Sequence, residues 1–585
     1  MIGVLMIVMM TFLVYTQAIQ GDFVWDDEHF VKINSQWRGL KGLQKIWLDV
    51  SWHQYYPLHH TSFWLEYYLW GFNPQGYHLD NVALHTVNAI LVWALLEMLK
   101  LPYAWFMAAL FALHPVHVES VGWITERKNV LSGMFYLLSL ITFLKISLKQ
   151  EALPGQGVSG RLYVLSLFFF LCALFSKTVT CTLPVILFLI LWWKKDRVGK
   201  QDIFLFLPFF ILGVCMAPLT IWLEKTAIGA QGPEWQFSFL ERSLIAGRAL
   251  WFYPSKLLFP YPLIFIYPRW KIESMAFGPY LFPLGFVVVL VGLWLGQRKW
   301  GKGPLVAILC YAVTIFPALG FFNVYPMRYT FVADHYQYLA SIGLIVLFVS
   351  LLGKILLNRR LFYGLSGILL LSLAVITLQR GGIYKNQIVF YQDILKKNPS
   401  CDMAHVNLGR LYRIMGKPAL AYQHYQNALE INPKNSSAHL NLGVFYELKG
   451  EWAKAEASYQ SATIADPRSV RAHYNLGVLY QKQRRFEAAE VAFRKALSLN
   501  PDFVHAQTNL GIVYFQIGQT QEAIQAYQKV LSLDPNFVLA LYNLGVAYEF
   551  LGQRQKASQL YQKVIDLQPD FQEARRNLNR LEGQP

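Results

Sequence analysis

The sequence predicts an all-α protein in two parts: a polytopic membrane bundle of about 11 helical spans, then an α-solenoid. Three observations predict it. Of 585 residues, 55% are hydrophobic and only 15% charged, a balance too apolar for an ordinary soluble chain. Apolar runs of spanning length recur as far as residue 379. Beyond residue 399 the pattern changes, and prolines return every 34 residues.

The runs fall near 2–19, 80–99, 103–124, 129–147, 161–176, 178–193, 203–223, 277–296, 304–323, 336–353 and 361–379. The first lacks a basic leader and a small-residue cleavage site, so it reads as a retained helix and not a removed signal. A further apolar stretch, 243–266, is interrupted by Arg248, Lys256 and prolines, and is expected to lie along the interface. The formal charge of +17 does not point to nucleic acid, because much of it sits in "KKDRVGK" (194–200), "RKWGK" (298–302) and "KILLNRR" (354–360), beside apolar runs. Such clusters orient spans. With an inside N-terminus, 11 crossings put all three on the cytoplasmic side. Loop 20–79, the turn near 114–128, residues 224–276, loop 324–335 and everything after about 380 then face the other side. Five cysteines show neither zinc nor redox spacing.

The expected boundaries are a membrane domain over 1–380, a linker or first capping helix over 381–398, and a solenoid over 399–585 with five repeats and a final helix. Asn-Leu-Gly begins at Asn407, Asn441, Asn475, Asn509 and Asn543, a tyrosine follows each glycine by three, and Ala421, Ala455, Ala489, Ala523 and Ala557 keep the same register. Small residues let antiparallel helices approach, and proline punctuates each junction. This pattern resembles the tetratricopeptide repeat. The asparagines share one position of successive first helices, and an amide offers a donor and an acceptor to a peptide backbone; they are the candidate acceptor-binding ladder of a protein-binding groove.

Five features could carry chemistry at the outer face. Asp26 and Asp27, with Glu28, follow the first span between Trp25 and Phe30, where partial desolvation lifts a carboxyl towards the working range of a general base. In "HPVHVESVGWITERKN" His117 and Glu119 are candidate ligands for a divalent metal, without the spacing of a zinc motif, and Arg127 and Lys128 could hold a phosphate. Lys177 stands between two apolar runs without a local counter-charge and needs an anion. Arg328, Asp334 and His335 lie at the mouth of a late span.

Together with "YYPLHHTSFWLEYYLWGFNPQGYHLDNVALHTVNAILV", "SKTVTCTLP" and "ADHYQYLASIGL", these motifs resemble the transmembrane and tetratricopeptide-repeat protein O-mannosyltransferases over essentially the whole chain. The resemblance implies a C-type glycosyltransferase fold, a polyprenyl-phosphate sugar (mannose or a similar hexose) as donor and a protein hydroxyl as acceptor. Asp26 and Asp27 match the family's acidic pair. Asp334-His335-Tyr336 stands where relatives carry Glu-Arg-Tyr. On this reading Asp27, or else Asp26, takes the acceptor proton, while Arg127, Lys177, Arg328 and His335 clamp the leaving phosphate. The competing expectation is a membrane-tethered repeat scaffold without catalysis. The expected location is a bacterial inner membrane, or the endoplasmic reticulum in a eukaryote, with the repeats on the non-cytoplasmic side.

Overall fold

The computed structural model describes residues 1–33, 38–50, 54–152, 160–195, 198–356 and 358–583. Asp196, Arg197 and Leu357 of the basic clusters lie outside the described residues. The described chain is helical throughout, without a β-strand, and divides into two compact units, Met1–Ser400 and Cys401–Pro585. The segment 381–398 therefore belongs to the first unit.

The first unit runs through α1 (Ile2–Val14), α2 (Thr16–Ile19), α3 (Gly39–Leu48), α4 (Pro57–Trp70), α5 (Pro74–Met98), α6 (Ala104–Leu113), α7 (Val118–Gly122), α8 (Arg127–Ala152) and α9 (Gly160–Ser176). It continues with α10 (Leu183–Lys194), α11 (Lys200–Thr226), α12 (Phe239–Leu258), α13 (Leu281–Leu295), α14 (Gln297–Trp300), α15 (Gly303–Ile315), α16 (Ser341–Ile355), α17 (Arg359–Gly381) and α18 (Gln387–Lys397). By length and composition, five stretches can each cross a membrane: 74–98, 124–148, 202–226, 278–295 and 359–385. A sixth, α6 with α7, is bent by 51° at His114-Pro115. Proline lacks the N–H that would continue the helical ladder, and the preceding residue is pushed out of helical geometry. Shorter apolar helices occupy the expected spans at the N-terminus and near 160–194, 303–318 and 341–355. The stretch expected to lie along the interface forms α12, opened by a capping box in which Ser238 and Glu241 satisfy each other's backbone N–H.

The outward faces show which solvent this unit needs. No residue of α13 is buried, although Leu284, Val288 and Leu295 are each more than half exposed. Apolar area left in water forgoes about 25 cal/mol per Å², so a helix apolar all round and bare in the fold is stable only against hydrocarbon. The first unit is an integral, multi-pass membrane domain.

The second unit is a row of antiparallel pairs: α19 (Asp402–Ile414) with α20 (Pro418–Ile431), α21 (Ser436–Leu448) with α22 (Trp452–Ala465), α23 (Val470–Lys482) with α24 (Phe486–Leu499), α25 (Val504–Gln516) with α26 (Thr520–Leu533), and α27 (Val538–Phe550) with α28 (Arg554–Leu567). Helix α29 (Gln572–Glu582) closes the row. The glycine of each Asn-Leu-Gly explains the close approach. A Cβ added at Gly443 would stand 2.3 Å from the Tyr459 ring, and the other four meet Tyr425, Phe493, Tyr527 and Tyr561 in the same way. The buried row Ala455, Ala489, Ala523 and Ala557 completes the contact from the second helix.

Candidate active site

The site is assembled where the chain leaves α2. The Asp22 N–H donates to the Tyr384 carbonyl at 3.0 Å, and Trp25 turns the backbone with φ of 55°, a left-handed conformation that costs a non-glycine residue roughly 1–2 kcal/mol. Its ring rests on Phe265, with centroids 5.4 Å apart. Asp27 is fully buried. Its Oδ2 accepts from the Val24 N–H at 3.0 Å, and its Oδ1 accepts from the Thr125 N–H at 2.8 Å and the Thr125 hydroxyl at 2.6 Å. These bonds fasten the acidic loop to the 3-10 turn Ile124–Glu126. Asp26 keeps part of its surface open, and its Oδ1 accepts from the Trp123 Nε1–H at 3.1 Å.

Burial pushes the Asp26 carboxyl up to about 6; Lys128 opposes the rise and Glu126 adds to it. Burial and then the neighbouring Asp26 charge push Asp27 up to about 8, against its donors from Thr125 and Val24. Asp27, expected as the first choice of base, is thus enclosed and saturated with donors. Asp26 is the acid that a second molecule can reach. Glu28 turns away towards Gln387 Nε2, 3.5 Å distant.

Beside the acids lies a network of charges. Glu126 binds Lys128 through Oε1 at 2.8 Å and Lys177 through Oε2 at 3.1 Å. The counter-charge that Lys177 required is therefore Glu126. Lys177 also donates to Asn129 Oδ1 at 2.7 Å, and the Asn129 amide donates to the His335 carbonyl at 2.9 Å. His335 Nδ1 is 2.6 Å from Glu119 Oε1, and its Nε2 lies 4.0 Å from Glu126 Oε1. Lys128, Lys177 and His335 each remain 8% exposed. The two ammonium groups share Glu126, and Asp26 and Glu224 also face Lys128 while Glu119 faces Lys177, so cations and carboxylates alternate through the network.

Other expected residues are placed differently. Arg127 is fully buried and points away from this network. It pairs with Glu66, donates to Asn81 Oδ1 and the Tyr77 carbonyl at 2.7 Å each, and covers the Phe63 ring. It locks α8 to α4 and α5, and its neighbour Lys128 is the one that joins the Glu126 network. Arg328 pairs with Glu234 at 3.0 Å on a partly exposed surface. His117 and Glu119 have separate partners, Glu119 meeting His335. The His117 ring nitrogens face the Phe111 carbonyl at 2.8 Å and the Ser341 hydroxyl at 3.0 Å. Among the described residues no group of three His, Cys, Asp or Glu could hold a metal.

Sequence reasoning named Lys128 beside Arg127 but missed Trp123, Thr125, Glu126 and Asn129. The available signal was the dense polar run "TERKN" directly before an apolar span, together with the unpaired Lys177, which demanded an acid.

The five ladder asparagines are all partly exposed. Asn441 and Asn543 donate to the carbonyls of Ser437 and Leu539, each at 2.8 Å, and Asn509 donates to the Tyr474 hydroxyl at 3.1 Å across to the preceding repeat. Asn407 turns its amide to the Met403 sulfur at 2.9 Å.

Fold and site define a multi-pass membrane protein with a carboxyl pair and a cluster of buried charged side chains at the start of the 124–148 stretch, followed by helical repeats. Models of the tetratricopeptide repeat match residues 412–479, 470–503, 492–525, 513–552 and 538–571, so the second unit is built of these repeats. By sequence the chain is similar to proteins named protein O-mannosyl-transferase. Protein O-mannosyl-transferase F38B6.6 of Caenorhabditis elegans is 24% identical over 444 residues, 70% of this chain and 60% of that protein. Protein O-mannosyl-transferase tmtc2 of Xenopus laevis is 34% identical over 145 residues, 23% of this chain and 17% of that protein. Human TMTC4, likewise named a protein O-mannosyl-transferase, is 29% identical over 28% of this chain and 25% of its own length. The matches therefore span less than two thirds of the length of these relatives. Among solved structures, YrrB, described as a TPR protein with an unusual peptide-binding site, is 25% identical with a TM-score of 0.29, covering 32% of this chain and 96% of its own.

Proposed function

We propose that the protein is a glycosyltransferase that moves mannose or a similar hexose from a polyprenyl-phosphate carrier to a protein hydroxyl. The observation that carries this reading is the pairing of a reachable, partly desolvated carboxylate, Asp26, with the Lys128–Glu126–Lys177 cluster on the adjoining turn. The names of the relatives supply the sugar and the acceptor class.

In this reaction the acceptor oxygen attacks the anomeric carbon and its proton passes to Asp26. The bond from that carbon to the phosphate oxygen breaks, and the electron pair leaves with the lipid phosphate. A phosphate is stable as an anion, so it needs cations more than a general acid, and Lys128 and Lys177, with His335 behind them, supply these. Asp27 is a positioning residue, holding the acidic loop on Thr125. A lipid donor accounts for a site built at the start of the 124–148 stretch. The repeats hold the acceptor protein through the exposed asparagine ladder, on the non-cytoplasmic side of a bacterial inner membrane, or of the endoplasmic reticulum in a eukaryote.

The test is sugar transfer by the purified full-length protein, supplied with polyprenyl-phosphate mannose and an acceptor protein and read by mass spectrometry of glycopeptides. Asp26→Asn keeps the shape and removes the base, and is expected to lower transfer by about 10²–10⁴-fold. Transfer that survives this change would return the protein to the scaffold reading.

A further inference from the structure

At the other end of the same bundle lies a cavity that the proposed reaction does not use. It has a volume of about 520 Å³ and is bounded by α5, α8, α10, α15 and α16. This lies within the roughly 300–1,000 Å³ typical of ligand pockets. Its walls are apolar, with Leu95, Leu140, Ile186, Ile190, Val346 and Leu347 among them. Tyr103, Trp193 and Trp300 belong to its rim, side chains that favour the level of lipid headgroups. Lys302 and Lys354 are the charged groups among its described lining residues, and no carboxylate is among them.

The position of the cavity follows from the helix directions. In α5, Asn81 touches Arg127 near the acids, whereas Leu99, just past the helix, lines the cavity. Eighteen residues at 1.5 Å rise separate the two by about 27 Å. That is close to the hydrocarbon thickness of about 30 Å. Along α16 the cavity runs the length of the helix, from Ala340 and Ile342, beside the Ser341 that meets His117, to Lys354, so its apolar body reaches inward while its lysines stand at the far end.

The local charges favour an anion at this mouth. Lys302 donates to the Trp192 carbonyl at 3.0 Å and Lys194 to the Leu99 carbonyl at 2.6 Å, so both cap helix ends and retain further N–H donors. Lys354 is exposed. The nearby acid Glu97 is exposed and takes the Trp93 N–H at 3.1 Å.

We infer that this cavity binds one anionic glycerophospholipid of the leaflet opposite the acids, with an acyl chain between α5, α8 and α16 and its phosphate at Lys302 and Lys354. A polyprenyl-phosphate donor does not fit the role, because its phosphate must reach Asp26 on the other side. The inference is independent of sugar transfer, and its readout is lipid retention.

The full-length protein, reconstituted in nanodiscs of phosphatidylcholine and phosphatidylglycerol in equal parts, is released and its retained lipid counted by native mass spectrometry. One phosphatidylglycerol per chain is expected, preferred over phosphatidylcholine by about 30-fold, the effect of two lysines at a membrane surface. Lys302→Gln with Lys354→Gln removes that preference. Val346→Trp, which fills the apolar body, removes retention. Equal retention of the two lipids, a preference that survives the double lysine change, or displacement of phosphatidylglycerol by polyprenyl phosphate overturns the inference.

Discussion

Asp26 and Asp27 are adjacent in sequence, yet the fold gives them different surroundings. Asp27 meets the Thr125 N–H and hydroxyl and the Val24 N–H, whereas Asp26 accepts from the Trp123 indole and keeps part of its surface open. A base works only when ionised. With its carboxyl pushed up to about 6, Asp26 loses its charge as pH falls through that value and regains it above. We therefore expect kcat/KM for sugar transfer to climb about tenfold per pH unit below pH 6 and to level off above about pH 7. A profile flat between these limits would remove Asp26 from the role. The acidic pair was readable in "VWDDEH", but the difference in surroundings was not, because it depends on Thr125, about a hundred residues away.

At the scale of elements, two devices shape the protein. The break between α6 and α7 at Pro115 turns the chain by 51°, so that Trp123, Thr125 and Glu126 follow in one short irregular segment and Lys128 in the first turn of α8. In the repeats the device is the glycine under an aromatic ring. Gly443→Ala places a Cβ 2.3 Å from Tyr459, and the helix pair must part. Overpacking of this kind costs about 1–3 kcal/mol. We expect faster hydrogen exchange in α21 and α22 of the full-length variant, with protection in α5 and α8 unchanged; protection unaltered in α21 would refute the packing account. The 34-residue period made this legible in advance, since every repeat restates the same contact.

For the whole molecule, the acids and the repeats form one machine only if the acceptor is held by the solenoid. Asn441, Asn475 and Asn543 are partly exposed on α21, α23 and α27, and a hydrogen bond to a bound backbone contributes about 0.5–1.5 kcal/mol net. Changing all three to alanine is expected to raise KM for a protein acceptor by roughly tenfold or more, leaving transfer to a short hydroxyl peptide unaffected. A fall in kcat for both acceptors alike would place the asparagines in folding and not in capture. Fold class, approximate span positions and repeat register were all legible, because each rests on a pattern repeated many times along the chain.

The sequence by itself determined that this is a helical membrane protein followed by a repeat solenoid, and it marked Asp26, Asp27, Lys177 and His335 as residues out of place in apolar surroundings. Apolar content and period act locally, so they survive being read one window at a time. The packing alone shows that Glu126 answers Lys177, that Lys128 joins Glu126 while Arg127 pairs with Glu66, that His117 faces the Phe111 carbonyl and the Ser341 hydroxyl, and that Asp26 is less enclosed than Asp27. Each of these depends on which distant groups occupy the remaining hydrogen-bond positions of a buried polar atom. That pairing is set by the packing of α4, α5, α8 and α16 against one another, and not by neighbours in the chain.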